Sequence, residues 1–274
     1  MYNKRQTIIM DYLTEHGEAK NAELLPLLGE VSMMTLIRDL NKLEEDGQLL
    51  RTHGGAIIAP QVQGKQELAF AYRINQNTIE KDELASIAID FMTPDRAYYF
   101  DSGSTILRMS ELMNDEHHAI VTSAANTAIE LSRSGNNTVT LIGGQLSSST
   151  LSCSGPQAER MLRDINIDVA FMATSGYSNH GGFTVGSLAE ATLKREVIRK
   201  SALTIMLLDH SKINKNYPFT FSELDAIDIV IGDKFTDDFI SYAELHDVLL
   251  FSPDDGMTSV ERTNKYNELF KNNF

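Results

Sequence analysis

Between Ala97 and Gly232 the chain passes through short apolar segments, "AYYF", "AIVT", "VTLI", "VAFM", "LTIMLL" and "DIVIG", separated by amphipathic stretches of helical length. No other feature limits the fold as strongly. Strands joined by helix-length crossovers make βα units, and such units assemble around a mostly parallel sheet with helices on its faces. A length of 274 residues leaves room for a second domain beside that sheet. The longest apolar run, "ALTIMLL" from Ala202, is far too short to cross a bilayer. The opening "MYNKRQTIIMDYL" breaks its apolar part with polar and acidic residues, unlike a secretion signal. A cytoplasmic protein with no membrane partner is the expectation. Cys153 is the single cysteine, which excludes an internal disulfide and argues against a thiolate zinc site. No metal and no cofactor are expected.

The first 57 residues follow a different pattern, of three helices and a hairpin. Ile8, Ile9, Tyr12 and Leu13 have helical spacing that stops at Gly17. A second helix covers "NAELLPLLG", with Asn21 as its amino cap, Gly29 as its stop and Pro26 as a kink. Ser32 caps a third, which ends at Gly47. On it Leu36, Leu40 and Leu43 share one face, with Met34, Arg38 and Asn41 opposite. "QLLRTHGGAII" then reads as a hairpin around Gly54 and Gly55. From Ile58 to Asn77 the composition turns to Gln, Gly and Pro. The resulting organisation is a module over 1–57, a linker over 58–77, an α/β domain over 78–252 and a tail or terminal helix over 253–274.

Charge restricts what such a module could bind. The chain carries a net −14. Within residues 1–60, Lys4, Arg5, Lys20, Arg38, Lys42 and Arg51 face nine acids, so 6 − 9 = −3. A negative field slows the approach of DNA, so any nucleic-acid contact must be local. Two short helices and a third with Arg38 and Asn41 outward suit a helix-turn-helix, since Arg can bond guanine and Asn adenine. A small helical bundle with a solvated charged face fits the same pattern.

In the second domain, "YYFDSGSTI" carries an apolar strand into Asp101, Ser102, Gly103, Ser104 and Thr105 at a helix start, a turn that suits a phosphate. "VTSAANTAIEL" repeats the arrangement with Thr122 and Ser123 at a strand end. "LLDHSK" places Asp209, Ser211 and Lys212 on that same sheet edge, where open α/β sheets bind ligands. Lys81 and Arg73 lie upstream, in positions where charged residues usually face solvent.

"VSMMTLIRDLNKLEEDGQLLRTHGGA", Val31 to Ala56, resembles the winged helix-turn-helix signature V-S-x-x-T-I-R-R-D-L-x-x-L-x-x-x-G-x-L-x-R-x-H-G-G-A of the DeoR family of bacterial transcriptional regulators. Ile37 stands where that signature has the first of two arginines. The second domain resembles the family's effector domain, itself similar to ribose 5-phosphate isomerase. Asp101 to Thr105 match D-S-G-[ST]-T, Thr122 and Ser123 match T-[NS], and "LIGG" through Gly144 matches L-x-G-G. "LAEATLKREVIRKS" matches E-x-x-x-K-R through Glu190 and Lys194, and "LLDHSK" matches D-x-S-K; "GDK" at Gly232 departs from the usual Thr-Asp.

The resemblance implies an α/β chain with an N-terminal winged helix-turn-helix and a C-terminal Rossmann-like domain. It further implies a regulator, in the first instance a repressor of a sugar catabolism or uptake operon. Its partners would be a double-stranded DNA operator, a phosphorylated sugar and further copies of itself as a dimer or tetramer. Ser32, Met34, Thr35, Arg38, Asn41, Lys42, Arg51 and His53 would meet DNA. Lys81, Asp101, Ser102, Gly103, Ser104, Thr105, Thr122, Ser123, Gly144, Lys194, Asp209 and Lys212 would surround the effector, with Lys81 and the Asp101 to Thr105 turn near the phosphate. The alternatives are a sugar-phosphate isomerase and a sugar-phosphate binder without DNA activity. An isomerase needs a base beside the substrate carbon, and "FMATSG" supplies no acid. Glu190 is the candidate that remains, against a plainer role as a solvated partner of Lys194, so no enzyme is expected.

Overall fold

The computed structural model describes residues 3–29, 31–45, 49–52, 54–58, 70–94, 96–113, 116–133 and 135–273. They fall into two compact units, 1–64 and 65–274. The first unit runs α1 (Lys4–His16), β1 (Glu18–Lys20), α2 (Asn21–Leu27), α3 (Met33–Glu45), β2 (Leu49–Thr52) and β3 (Gly55–Ile58). Asn3 and Gln6 cap α1 reciprocally, each side chain accepting the other's backbone N–H at 2.9 and 3.0 Å. Gly17, at φ +79°, ends α1. Asn21 is not the cap of α2 but its first residue, because Lys20 still pairs in β1 and the Asn21 N–H donates to the Gly54 carbonyl at 2.7 Å. Ser32 Oγ accepts from Thr35 N–H at 3.3 Å and opens α3. Leu36, Leu40 and Leu43 are fully buried with Ile9, Leu13, Leu24 and Leu49.

β1 is a strand that the composition of "EAK" does not announce. It joins the hairpin to give an antiparallel sheet of order β1-β3-β2. Gly55 makes the pairing possible: a Cβ there would lie 2.1 Å from the Ala19 carbonyl oxygen.

The second unit begins with α4 (Phe70–Arg73) and α5 (Thr78–Ile89), then β4 (Ala97–Phe100), α6 (Ser104–Leu112), β5 (Ala119–Thr122), α7 (Ala125–Leu131) and β6 (Thr138–Leu141). A short ribbon of β7 (Gln145–Leu146) and β8 (Cys153–Ser154) leads to α8 (Pro156–Arg163) and β9 (Ile167–Ala173). After it come β10 (Gly176–Ser178), β11 (Gly182–Val185), α9 (Leu188–Lys200), β12 (Ser201–Leu208), β13 (Phe219–Ser222), β14 (Ile229–Gly232), α10 (Asp237–Leu245), β15 (Leu249–Phe251) and α11 (Ser259–Asn273).

Seven strands form one parallel sheet of order β15-β14-β12-β9-β4-β5-β6. Successive residues point to opposite faces, so each strand feeds two cores. Tyr98, Phe100, Phe171 and Ile205 pack under α5, α6 and α11. Tyr99, Ala170, Met172 and Met206 pack under α8, α9 and α10.

One stretch differs from its expected role. Residues 70–77, assigned to the linker by composition, belong to the second unit: Phe70 is buried and its N–H donates to the Ser149 carbonyl at 2.7 Å. The carboxyl-terminal stretch is a docked helix, since Tyr266 and Phe270 of α11 insert beside Phe91. Among the described residues no helix is long and apolar enough to cross a membrane.

Candidate functional sites

On α3 the residues opposite the leucine core stand in water. Met34 is 68% exposed, and Arg38, Asn41 and Lys42 are exposed as well. Ile37 is half-buried on the flank. The Arg51 guanidinium donates to Asn41 Oδ1 at 2.5 Å and the Arg51 N–H to Glu44 Oε1 at 2.8 Å, which fastens β2 to α3. Asn41 thus holds the wing; an amide oxygen has two lone pairs, so this bond and a bond from adenine are compatible. Asp39 is buried and accepts from Arg5 Nε at 2.6 Å and Asn3 Nδ2 at 3.2 Å. Burial pushes its carboxyl up, but the bonds from Arg5 and Asn3 and the charge of Arg5 outweigh this and leave it below the usual range. One of the unit's acids is thereby neutralised at home. His53 lies outside the described residues.

In the second unit the strand order reverses between β4 and β9, where doubly wound sheets open a crevice at the strands' carboxyl ends. Asp101 leaves β4 there. Its Oδ2 accepts the Ala173 N–H at 3.0 Å and a bond from Lys194 Nζ, which also donates to the Ala173 carbonyl at 3.0 Å. Glu190 Oε1 lies 3.5 Å from the same ammonium. All three side chains are buried, so Glu190 does pair with Lys194 but is not solvated. One cation faces two carboxylates, and the cluster ties β4, β9 and α9 together without a positive surplus for a phosphate. Tyr99 Oη donates to Ser123 Oγ at 3.0 Å, and burial, with Asp101 nearby, pushes the phenol well above its ordinary value. Thr122 Oγ1 accepts from the Ala124 N–H at 3.0 Å. Thr122 and Ser123 are therefore engaged inside the protein.

Ser102, Ser104 and Thr105 are buried around the start of α6, whose first-turn N–H groups have no partner within the helix. Gly103 lets this turn meet β9, since a Cβ would sit 2.7 Å from the Ala173 methyl. Gly144 serves a similar approach, since a Cβ there would lie 2.6 Å from the Ser154 carbonyl oxygen.

The structure gathers Lys81, Asp209 and Lys212, with Arg73, Gln76, Asn77, Ser211 and Lys215, around a cleft of ≈ 180 Å³. The residues that line it do not include the Asp101 to Thr105 turn. Nor do Lys81 and Arg73 face solvent: both are buried. Lys81 Nζ donates to the Arg73 and Gln76 carbonyls. Burial, opposed by Asp209, lowers its pKa to about 8. Asp209 Oδ1 accepts from Asn77 Nδ2 at 3.1 Å, from the Ser211 N–H at 3.1 Å and from the Ser211 hydroxyl. Burial raises the Asp209 carboxyl, but Lys212 and these bonds more than offset it and hold it below the usual range.

A second cleft, of ≈ 280 Å³, is lined by Ser147, Ser149, Thr150, Ser152 and Ser154 of the ribbon loop, by Gly186 and Ser187, and by Glu190. None of these hydroxyls belonged to the expected site, although their density in "SSSTLSCS" was a signal. Helix α4 touches a residue of one cleft and supplies a residue of the other: the Phe70 N–H donates to the Ser149 carbonyl, and Arg73 lines the cationic cleft. Among the described residues no group of His, Cys, Asp and Glu is placed to hold a metal ion.

Comparison with known proteins agrees with this division. The family model described as DeoR-like helix-turn-helix domain matches residues 5–62, and the one described as DeoR C terminal sensor domain matches residues 76–234. The uncharacterized HTH-type transcriptional regulator YulB of Bacillus subtilis is 30% identical over 85% of this chain and 90% of its own. The HTH-type transcriptional repressor GlcR of the same organism is 28% identical over 85% and 90%. The L-fucose operon activator of Haemophilus influenzae is 28% identical over 90% and 98%. A solved D-ribose-5-phosphate isomerase in complex with phospho-erythronic acid aligns at 15% identity over 48% of this chain and 52% of its own, with a TM-score of 0.35.

Proposed function

This chain belongs to the DeoR family of DNA-binding transcriptional regulators, and from that membership we propose that it represses a sugar catabolism or uptake operon under control of a phosphorylated sugar. The observation that carries the effector half is the cationic cleft. Arg73, Lys81, Lys212 and Lys215 line it with Asp209, four cations to one carboxylate, in a volume of ≈ 180 Å³. Charge-assisted bonds of this kind suit a phosphate. The serine-rich cleft offers hydroxyls as partners for a sugar. Phosphate in the first cleft and sugar toward the second is the arrangement supported by the link through α4.

Ser32, Met34, Thr35, Arg38, Lys42 and Arg51, with His53, form the DNA-reading set in this proposal. Asn41 acts through Arg51. A helix-turn-helix reads one half-site, so a dimer or tetramer binds paired sites on a cytoplasmic operator. Relatives named as a repressor and as an activator both align over most of this chain, and the repressor reading is tested by operator affinity with and without effector. The isomerase alternative is set aside because the relatives are regulators and because Glu190, its one candidate base, is held against Lys194.

Thermal shift with sugar phosphates and their dephosphorylated counterparts tests the effector. At a hundred times its dissociation constant the effector adds about 2.7 kcal/mol to stability. Equal shifts with and without the phosphate would refute the cationic-cleft assignment.

A further inference from the structure

Two apolar side chains stand on or beside the reading face of α3. Met34 is 68% exposed. Ile37, three residues on and so its neighbour on the helix surface, is half-buried on the flank between that face and the leucine core. At about 100° per residue, Met34, Ile37, Arg38 and Asn41 lie within an arc of roughly 100°. The pair is flanked by the exposed charges of Arg38 and Lys42 and by Arg51, which Asn41 holds against the same helix. An apolar patch rimmed by cations fits a surface that is itself apolar at points and anionic around them.

In the major groove of B-DNA the only apolar groups on the base edges are the 5-methyl groups of thymine, and phosphates border them on both sides. The first turns of a recognition helix are the part that reaches those edges. Met34 is the second residue of α3 and Ile37 the fifth. We infer that Met34 and Ile37 read thymine methyl groups, so that the operator half-site of this regulator contains one or two thymines recognised by their methyls rather than by hydrogen bonds. The inference rests on the DNA-binding reading. It also gives the Ile37 position, where the family signature has an arginine, a specificity of its own.

The test starts from duplexes selected by the full-length protein out of a random library, in which each thymine of the preferred site is then replaced in turn by uracil. Removing one buried methyl is worth about fourfold in affinity, from about 0.8 kcal/mol per buried carbon. Wild-type protein is expected to lose that factor at one or two thymines per half-site. Met34→Ala and Ile37→Ala are expected to bind more weakly and each to become indifferent to at least one of those replacements. Arg38→Ala should weaken binding while retaining the full sensitivity to uracil. Because Met34 stands in solvent, an unchanged unfolding temperature for Met34→Ala shows that the effect is not one of folding. Wild-type affinity that ignores every uracil replacement would overturn the inference and leave DNA binding standing. Recovery of no preferred site would overturn the DNA-binding reading and this inference together.

Discussion

Arg38, Asn41 and Lys42 of the first unit stand in water on a helix whose other side is a leucine core, whereas Asp101, Glu190 and Lys194 of the second are almost wholly removed from water and hold three elements together. The first arrangement separates function from folding: the reading side chains can be exchanged without touching Leu36, Leu40 or Leu43. The second does not. A buried charge costs several kcal/mol of desolvation and is tolerated only beside its partner, so changes near the sensor's crevice act on stability as well as on binding.

The sharpest way to expose that contrast is Lys194→Met. It leaves the carboxylates of Asp101 and Glu190 buried together without a cation, and a loss of about 3 to 5 kcal/mol in denaturant unfolding is expected. Adding Asp101→Asn and Glu190→Gln should restore much of it. A loss below about 1 kcal/mol would mean that water reaches the cluster and that the two units handle charge alike.

The same contrast explains what could be read from sequence. Periodicity revealed α3 and its two faces because a leucine every three or four residues is a local signal, and apolar runs revealed the sheet strands. The cationic cleft joins Arg73 and Lys81 to Lys212, which is far from both in the chain, and nothing local distinguishes a buried Lys81 from a solvated one. Strand β1 was illegible because "EAK" has no strand propensity and pairs only through the space that Gly55 leaves. The bond between Asn41 and Arg51 crosses from helix to wing, where spacing says nothing about contact.

A cleft that gathers charge should respond to losing it. Lys212→Ala is expected to weaken a sugar phosphate by about 1.5 to 3 kcal/mol in calorimetry, with little effect on operator binding. Its pH dependence follows from Lys81, whose pKa is lowered to about 8. Below that pH the amine is charged and supports the phosphate, and above it the cleft loses one cation. The phosphate itself is close to a dianion throughout this range, since its second pKa is about 6. Effector affinity should therefore fall as pH rises through about 8, and Lys81→Met should flatten the profile. A profile in Lys81→Met that keeps the wild-type fall would locate the titrating group elsewhere.

On the exposed side, Arg38→Ala should cost about 1 to 3 kcal/mol of specific operator affinity and leave unfolding nearly unchanged. Gel-shift titration alongside thermal unfolding measures both. A comparable drop in stability would show that the reading face is not independent of its core.

The smallest effect concerns how Arg51 is aimed. With the Arg51 guanidinium 2.5 Å from Asn41 Oδ1 and its N–H on Glu44, the wing is fixed to α3 before any DNA arrives. If Asn41 works only by holding Arg51, then Asn41→Ala should cost about 1 kcal/mol of operator affinity, the worth of one such hydrogen bond. It should also lower the slope of affinity against salt, because a loosened Arg51 contributes less to its phosphate contact. Arg51→Ala should cost more, and adding Asn41→Ala to it should cost almost nothing, since the group that Asn41 positions is already gone. Losses that simply add would mean that Asn41 reads a base in its own right.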